Sequence, residues 1–170
     1  MDLDRLASIA QIVNALAVTL TLLGLIVTIR QNTRSQRALA VDSLAAAIAS
    51  INVPAMESPA LGSALSRSIS DWKSATRDER IVAHYFLFSF FKLSESAWYQ
   101  RKAHILDAVQ WHGWDKLIRK YYHSQGVREV WWPNRRQAYS AEFQEYLAGT
   151  SAPADIGSLQ DIFDCEAQTR

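Results

Sequence analysis

The longest uninterrupted apolar stretch of the chain lies between Arg5 and Arg30, where Leu6 to Ile29 carry no charged side chain. At a rise of about 1.5 Å per residue, a helix of this length reaches about 36 Å. That is enough to cross a hydrocarbon core of about 30 Å with some tilt. The pattern predicts a transmembrane helix over residues 6–29, behind a short flank of residues 1–5. A secretory signal peptide fits less well. The flank holds Asp2, Asp4 and a single Arg5, and the apolar run exceeds the usual length of roughly 7–15 residues. No Pro or Gly interrupts the chain from Leu25 to Val53. The helix is therefore expected to continue past the span as a juxtamembrane helix over residues 30–53, with Pro54 as its stop.

The faces of this long helix differ. Ala10, Asn14, Ala17, Thr21, Gly24 and Thr28 alternate spacings of four and three residues, and all are small or polar. This 3.5-residue period marks a left-handed helix–helix seam, where small side chains let backbones approach and Asn or Thr bond across the contact. The register continues through Gln31, Ser35, Ala38, Asp42, Ala45 and Ala49, while Val41, Leu44, Ile48 and Ile51 form a second, larger stripe. The large stripe is expected to pack on the chain's own domain. The small seam is expected to meet a transmembrane helix of another subunit.

Beyond Pro54 the periodicity stays helical. Ser58-Pro59 reads as an N-cap with Pro at the first helical position, ahead of Leu61, Leu65, Ile69 and Trp72 on one face. Thr76-Arg77-Asp78-Glu79 reads as a capping box opening a helix that runs to about Lys102. Its middle, Ile81 to Phe91, is apolar nearly all round, which predicts a central core helix; it is too short to be a second span. Asp107 and Gln110 predict another start, with an end near Gly126. Val127 to Trp132 is expected to stop at Pro133. Ser140 caps a last helix that Gly149 closes. The fold class is all-α: one transmembrane helix continues into a long cytoplasmic helix packed on a small helical bundle over residues 54–149. An acidic tail follows over residues 150–170.

Charge adds a direction. The span has Arg5 on one side and Arg30, Arg34 and Arg37 on the other, which places the N-terminus outside and the domain in the cytoplasm. Those three arginines fall at the level of anionic headgroups. The net charge of +1 gives no general polyelectrolyte character, and a single cysteine, Cys165, suits a reducing compartment.

Candidate chemistry is sparse. There is no P-loop, no C-x-x-C, no Gly-rich nucleotide motif and no H-E-x-x-H. No catalytic residue, metal site, cofactor or nucleic-acid partner is predicted. His84 and Glu95 share one side of the core helix, three turns apart, and offer a buried polar site. Two readings stay open: acid–base groups of a pocket, or structural groups satisfied by neighbours, with Arg101, Arg119 or Arg128 as the expected partner of Glu95. In residues 112–139, Lys116, Arg119, Lys120, Arg128, Arg135 and Arg136 are interleaved with aromatic side chains. Together with Trp111, Trp114, Trp131 and Trp132 this reads either as a surface for anionic lipid or as core tryptophans with stacked arginines.

The order of features resembles an uncharacterised family of small bacterial single-span membrane proteins with a C-terminal helical domain. The likeness rests on Arg30-Gln31-Asn32 at the membrane junction and on Phe91 to Glu95 with Trp98-Tyr99 in the core helix. Trp131-Trp132 and Ser140-Ala141-Glu142-Phe143 carry it near the end. It covers residues 6–148 and departs at Lys92, where the family pattern is richer in arginine. The resemblance implies the fold and an inner-membrane location, and brings no activity with it. Three functions follow as expectations. The first is an anchored module acting by association, as a homo-oligomer or an accessory subunit. The second is a tethered enzyme using His84 and Glu95. The third is a lipid-binding domain using residues 112–139.

Overall fold

A computed structural model describes residues 3–154; the side chains of residues 3–8, Ala10 and Ala55, and the expected acidic tail from residue 155 with Cys165, lie outside the described residues. Every element among the described residues is helical. The chain divides into two compact units, Met1–Ala40 and Val41–Arg170, and α1 (Leu3–Glu57) contributes to both.

In the first unit α1 is uncovered. Every Leu, Ile and Val from Ile9 to Ile29 is between 47% and 68% exposed. The helix satisfies its own hydroxyls: Thr21 donates to the Ala17 carbonyl at 2.8 Å and Thr28 to the Gly24 carbonyl at 3.0 Å. Among the described residues it is the one helix long and apolar enough to cross a membrane.

The second unit begins with the last turns of α1. Leu44 is buried, and Val41 and Ile48 are partly buried against the core, while Asp42, Ala45 and Ala49 are exposed. The large stripe therefore packs inward, as its period predicts. The helix does not stop at Pro54 but runs to Glu57. Pro54 is exposed, so water can reach the Ser50 carbonyl that loses its i+4 donor, and the Pro54 carbonyl accepts the Ser58 N–H at 3.1 Å.

α2 (Pro59–Ser70) ends two residues short of Trp72, the last residue of its apolar face, because Asp71 leaves the helix and its carboxylate accepts the Lys73 and Ser74 N–H groups. Trp72 thereby falls in the turn. α3 (Arg77–Lys102) opens with the capping box formed by Thr76 and Glu79, and closes through His104 in the left-handed region at φ 58°. α4 (Ala108–Tyr122) is capped reciprocally by Asp107 and Gln110 and ends before Gly126. A π-helical turn, Val127–Trp131, passes into the single turn α5 (Trp132–Arg135) and a 3₁₀ turn, Arg136–Ala138. Pro133 does not stop this segment. It occupies the first turn of α5, where its missing N–H costs nothing. α6 (Ala141–Ala148) completes the unit.

α3 is the central helix. Leu87, Phe90 and Phe91 are buried on it against Ile118 of α4, Val127 and Trp131 of the π-turn, Trp132, and Phe143 and Leu147 of α6. The core is aromatic-rich, with Phe91 stacked on Trp131 and Trp132 on Tyr139. Gly126 lets the π-turn touch α2: a Cβ there would lie 2.0 Å from the Ser68 carbonyl oxygen.

Candidate functional site

Arg77, Arg80, Ile81, His84 and Tyr85 recur at i, i+3, i+4, i+7 and i+8, so they share one face of the first turns of α3. This face is not covered by the core. It forms one wall of a cleft of about 540 Å³, the other wall being Val130, Trp131, Asn134 and Arg135, with Trp72 from the α2–α3 turn at the margin. The π-turn shapes the second wall. Its wider i→i+5 winding lets the consecutive tryptophans 131 and 132 both enter the core, while Val130 and Asn134 line the cleft.

Several side chains of the cleft are held in place. Trp131 Nε1 donates to His84 Nδ1 at 3.1 Å. A neutral ring that accepts at Nδ1 carries its proton on Nε2. Burial, then the neighbouring Arg135, pushes the His84 pKa below its ordinary value and keeps the ring neutral near pH 7. Arg80 Nε donates to the Thr76 carbonyl at 3.3 Å, leaving its terminal nitrogens uncommitted. Asn134 Nδ2 donates to the Val130 carbonyl at 2.7 Å. Among the described residues no carboxylate lines the cleft. Glu79, in the same first turn of α3, accepts the Thr76 N–H at 2.7 Å and meets Arg67 of α2 at 3.1 Å.

Glu95 belongs to a different arrangement. Its Oε1 accepts the Ser140 N–H at 2.7 Å and its Oε2 meets Lys92 at 3.0 Å. Lys92 also donates to the Ala138 carbonyl and lies over the Tyr139 ring at 4.5 Å. Burial acts to raise the Glu95 pKa, but the Ser140 N–H and Lys92 outweigh it and hold the carboxyl below its usual value. The partner is thus Lys92 and not Arg101, Arg119 or Arg128. In a capping box the residue at N3 accepts the N-cap N–H. Position N3 of α6 is Phe143, which cannot, and Glu95 performs that role from α3. His84 and Glu95 are not brought together. One serves the cleft and the other caps a helix, about 16 Å apart along α3.

The expected lipid-facing tryptophans fare differently from one another. Trp131 and Trp132 are 2% and 6% exposed and are core side chains, so they present no surface to headgroups. Trp111 and Trp114 are half-buried against the core. Within the basic stretch, Arg119 pairs with Asp115 at 3.0 Å and donates to the Ser151 carbonyl, while Arg135 lines the cleft. Among the described residues no three His, Cys, Asp or Glu side chains lie close enough to hold a metal ion. In the first unit, Asn14, Ala17, Thr21, Gly24 and Thr28 are exposed, as are Arg30, Arg34 and Arg37. Ala10 of the seam lies outside the described side chains.

Sequence reasoning missed the cleft. The i, i+3, i+4, i+7, i+8 run of Arg77 to Tyr85 was the available signal; its facing wall comes from a segment whose π-winding no 3.6-residue period reveals. Comparison of the chain with known protein families, with characterised proteins and with solved structures finds no match.

Proposed function

We propose that this chain is a single-span protein of the bacterial inner membrane, with its N-terminus outside and its helical domain in the cytoplasm. It works by association through its span, with copies of itself or as an accessory subunit of a larger complex. The observation that carries this reading is the uncovered apolar surface of α1 from Ile9 to Ile29. Covering a Leu, Ile or Val side chain is worth about 1.5–3 kcal/mol when complete. At the exposures seen here, the run amounts to about 10–20 kcal/mol. That is as large as the whole stability of an ordinary domain, about 5–15 kcal/mol. Such a surface does not stay in water; hydrocarbon covers it.

The orientation rests on Arg5 against Arg30, Arg34 and Arg37. The bacterial placement rests on the resemblance carried by Arg30-Gln31-Asn32 and the Ser140–Phe143 segment. Association is favoured by the chemistry of the seam. Thr21 and Thr28 back-bond to their own helix, but the Asn14 amide has no hydrogen-bond partner among the described residues. In hydrocarbon an unsatisfied amide is costly, and a second helix is the nearest source of a partner.

The test is crosslinking in native membranes with single cysteines at Asn14, Thr21 and Thr28, after replacing Cys165. Crosslinks at all three positions, absent from a control at Ile26 on the opposite face of the helix, are the expected result. Retention in carbonate-washed membranes with no crosslink at any seam position, and a clean monomer in mild detergent, would sink the association. Release of the chain by carbonate alone would sink the span.

A further inference from the structure

The chemistry of the cleft over α3 points to a ligand class, independently of how α1 is covered. Three guanidinium groups, from Arg77, Arg80 and Arg135, share one cavity with no carboxylate in its lining. None of the three is in an ion pair among the described residues. Acids are available nearby, but Glu79 is turned away to Arg67 and Thr76, and Asp78 does not line the cleft. Like charges gathered around one space oppose each other unless an anion fills it.

Two of the donors, Arg80 and His84, are held before any ligand arrives, while Arg77 and Arg135 are exposed. Arg80 is held at its Nε by the Thr76 carbonyl, and the Trp131 indole sets the His84 tautomer so that Nε2 carries the proton. Donors therefore approach from both walls. A carboxylate offers two oxygens in a plane and is satisfied by one arginine fork. A phosphate monoester offers three terminal oxygens around a tetrahedral centre and close to two negative charges, which suits forks from opposite walls together with an imidazole N–H. The remaining lining is flat or apolar: Trp72, Ile81, Tyr85 and Val130. Ile81 is 40% and Tyr85 is 68% exposed; the Tyr85 ring meets the His84 ring at 5.3 Å and is otherwise largely open to a ligand. A volume of about 540 Å³ falls in the range of small-molecule sites, roughly 300–1,000 Å³.

We infer that this cleft binds a phosphate monoester carried on a flat or apolar body, with Arg77, Arg80, Arg135 and His84 Nε2 as donors and Tyr85 and Trp72 against the body. The phosphate monoester has two sources, a phospholipid headgroup and a free phosphorylated small molecule, and the test separates them.

The full chain in nonionic detergent is titrated with phenyl phosphate, benzoate and phenol, following His84 by side-chain nitrogen NMR and heat by calorimetry. Phenyl phosphate is expected to saturate, to bind more tightly than benzoate and to raise the His84 pKa; phenol is expected to show no saturation. Arg77→Gln, Arg80→Gln and Arg135→Gln each are expected to weaken it by about tenfold, the loss of one charge-assisted bond, and Arg136→Gln, outside the cleft, is expected to leave it unchanged. Near-ultraviolet circular dichroism confirms that each variant is folded. The chain is then placed in nanodiscs of phosphatidylcholine with and without phosphatidic acid. Displacement of phenyl phosphate by phosphatidic acid assigns the headgroup; its absence assigns the free ester. The inference is overturned if neither phenyl phosphate nor phosphatidic acid binds saturably. It is equally overturned if benzoate binds as tightly as phenyl phosphate, or if Arg135→Gln and Arg136→Gln behave alike.

Discussion

Replacing Gly126 by Ala sets two effects of opposite sign against each other. Gly126 is helical at φ −60°, ψ −35°, so backbone preference alone favours Ala by about 0.5–1 kcal/mol. The added methyl, however, would stand 2.0 Å from the Ser68 carbonyl oxygen and 2.8 Å from that of Ile69. Both neighbours are backbone of α2, so no side chain can rotate away. An ordinary contact requires the π-turn and α2 to separate by more than about 1 Å, in a core packed as densely as an organic crystal. Overpacking of this kind costs about 1–3 kcal/mol and more where backbone must move. The steric term wins, and Gly126→Ala is expected to destabilise the domain by about 2–3 kcal/mol net. At about 4 °C per kcal/mol for a unit of this size, the midpoint falls by about 10 °C. Gly113 provides the control. It lies inside α4, exposed, with nothing within 4 Å of where a methyl would stand, so Gly113→Ala is expected to raise the midpoint by a few degrees. The assay is thermal unfolding of the full chain in detergent, read by near-ultraviolet circular dichroism of the buried tryptophans. A Gly126→Ala midpoint at or above wild type refutes the close approach of α2 and the π-turn.

The remaining predictions concern single groups. Glu95→Ala removes the acceptor of the Ser140 N–H and the partner of Lys92, and is expected to cost about 1–3 kcal/mol in chemical denaturation, with Glu95→Gln milder. Because its folded pKa is depressed, Glu95 contributes stability above about pH 4.5 that is lost as pH falls through the folded value; the acid limb of a stability–pH curve should flatten in Glu95→Gln. His84 and His123 are both held below 6.5, chiefly by burial, so the unfolded chain binds more protons and stability falls as pH drops below 6.5. Replacing both by Gln should remove that slope below pH 6.5, and an unchanged slope refutes the assignment. His104→Gly relieves a left-handed residue after α3 and is expected to stabilise by about 1 kcal/mol, read as a rise in midpoint.

What was legible in the sequence was local. Thr76 with Glu79, Asp107 with Gln110, and Ser140 each bond within three residues, so the spacing that announces the cap is the spacing that forms it. The large stripe from Val41 to Ile48 was legible for the same reason, since one helix period sets which side chains share a face. Prolines were misjudged in one direction. Pro54 and Pro133 were both expected to end a segment, yet Pro54 is exposed, where water replaces the missing bond, and Pro133 sits in a first turn that needs no donor. The Lys92 partner of Glu95 was in reach, three residues away on α3, and was missed; the Ser140 N–H that Glu95 caps and the wall facing His84 were hidden because Ser140 and Trp131 lie 45 and 47 residues away in sequence. No pattern within one element carries that information.

The capping of Ser140 by Glu95 fixes an order of events. α6 is eight residues long, too short to hold its shape in water alone. Its first turn is completed by an oxygen from α3, a helix the ribosome delivers some forty residues earlier. During synthesis the acceptor is thus in place before the donor exists, and the closing segment docks onto a finished template. In hydrogen-exchange experiments the Ser140 amide should therefore be protected only while α6 is docked on α3, and Glu95→Ala should remove that protection, which a self-capped α6 would keep.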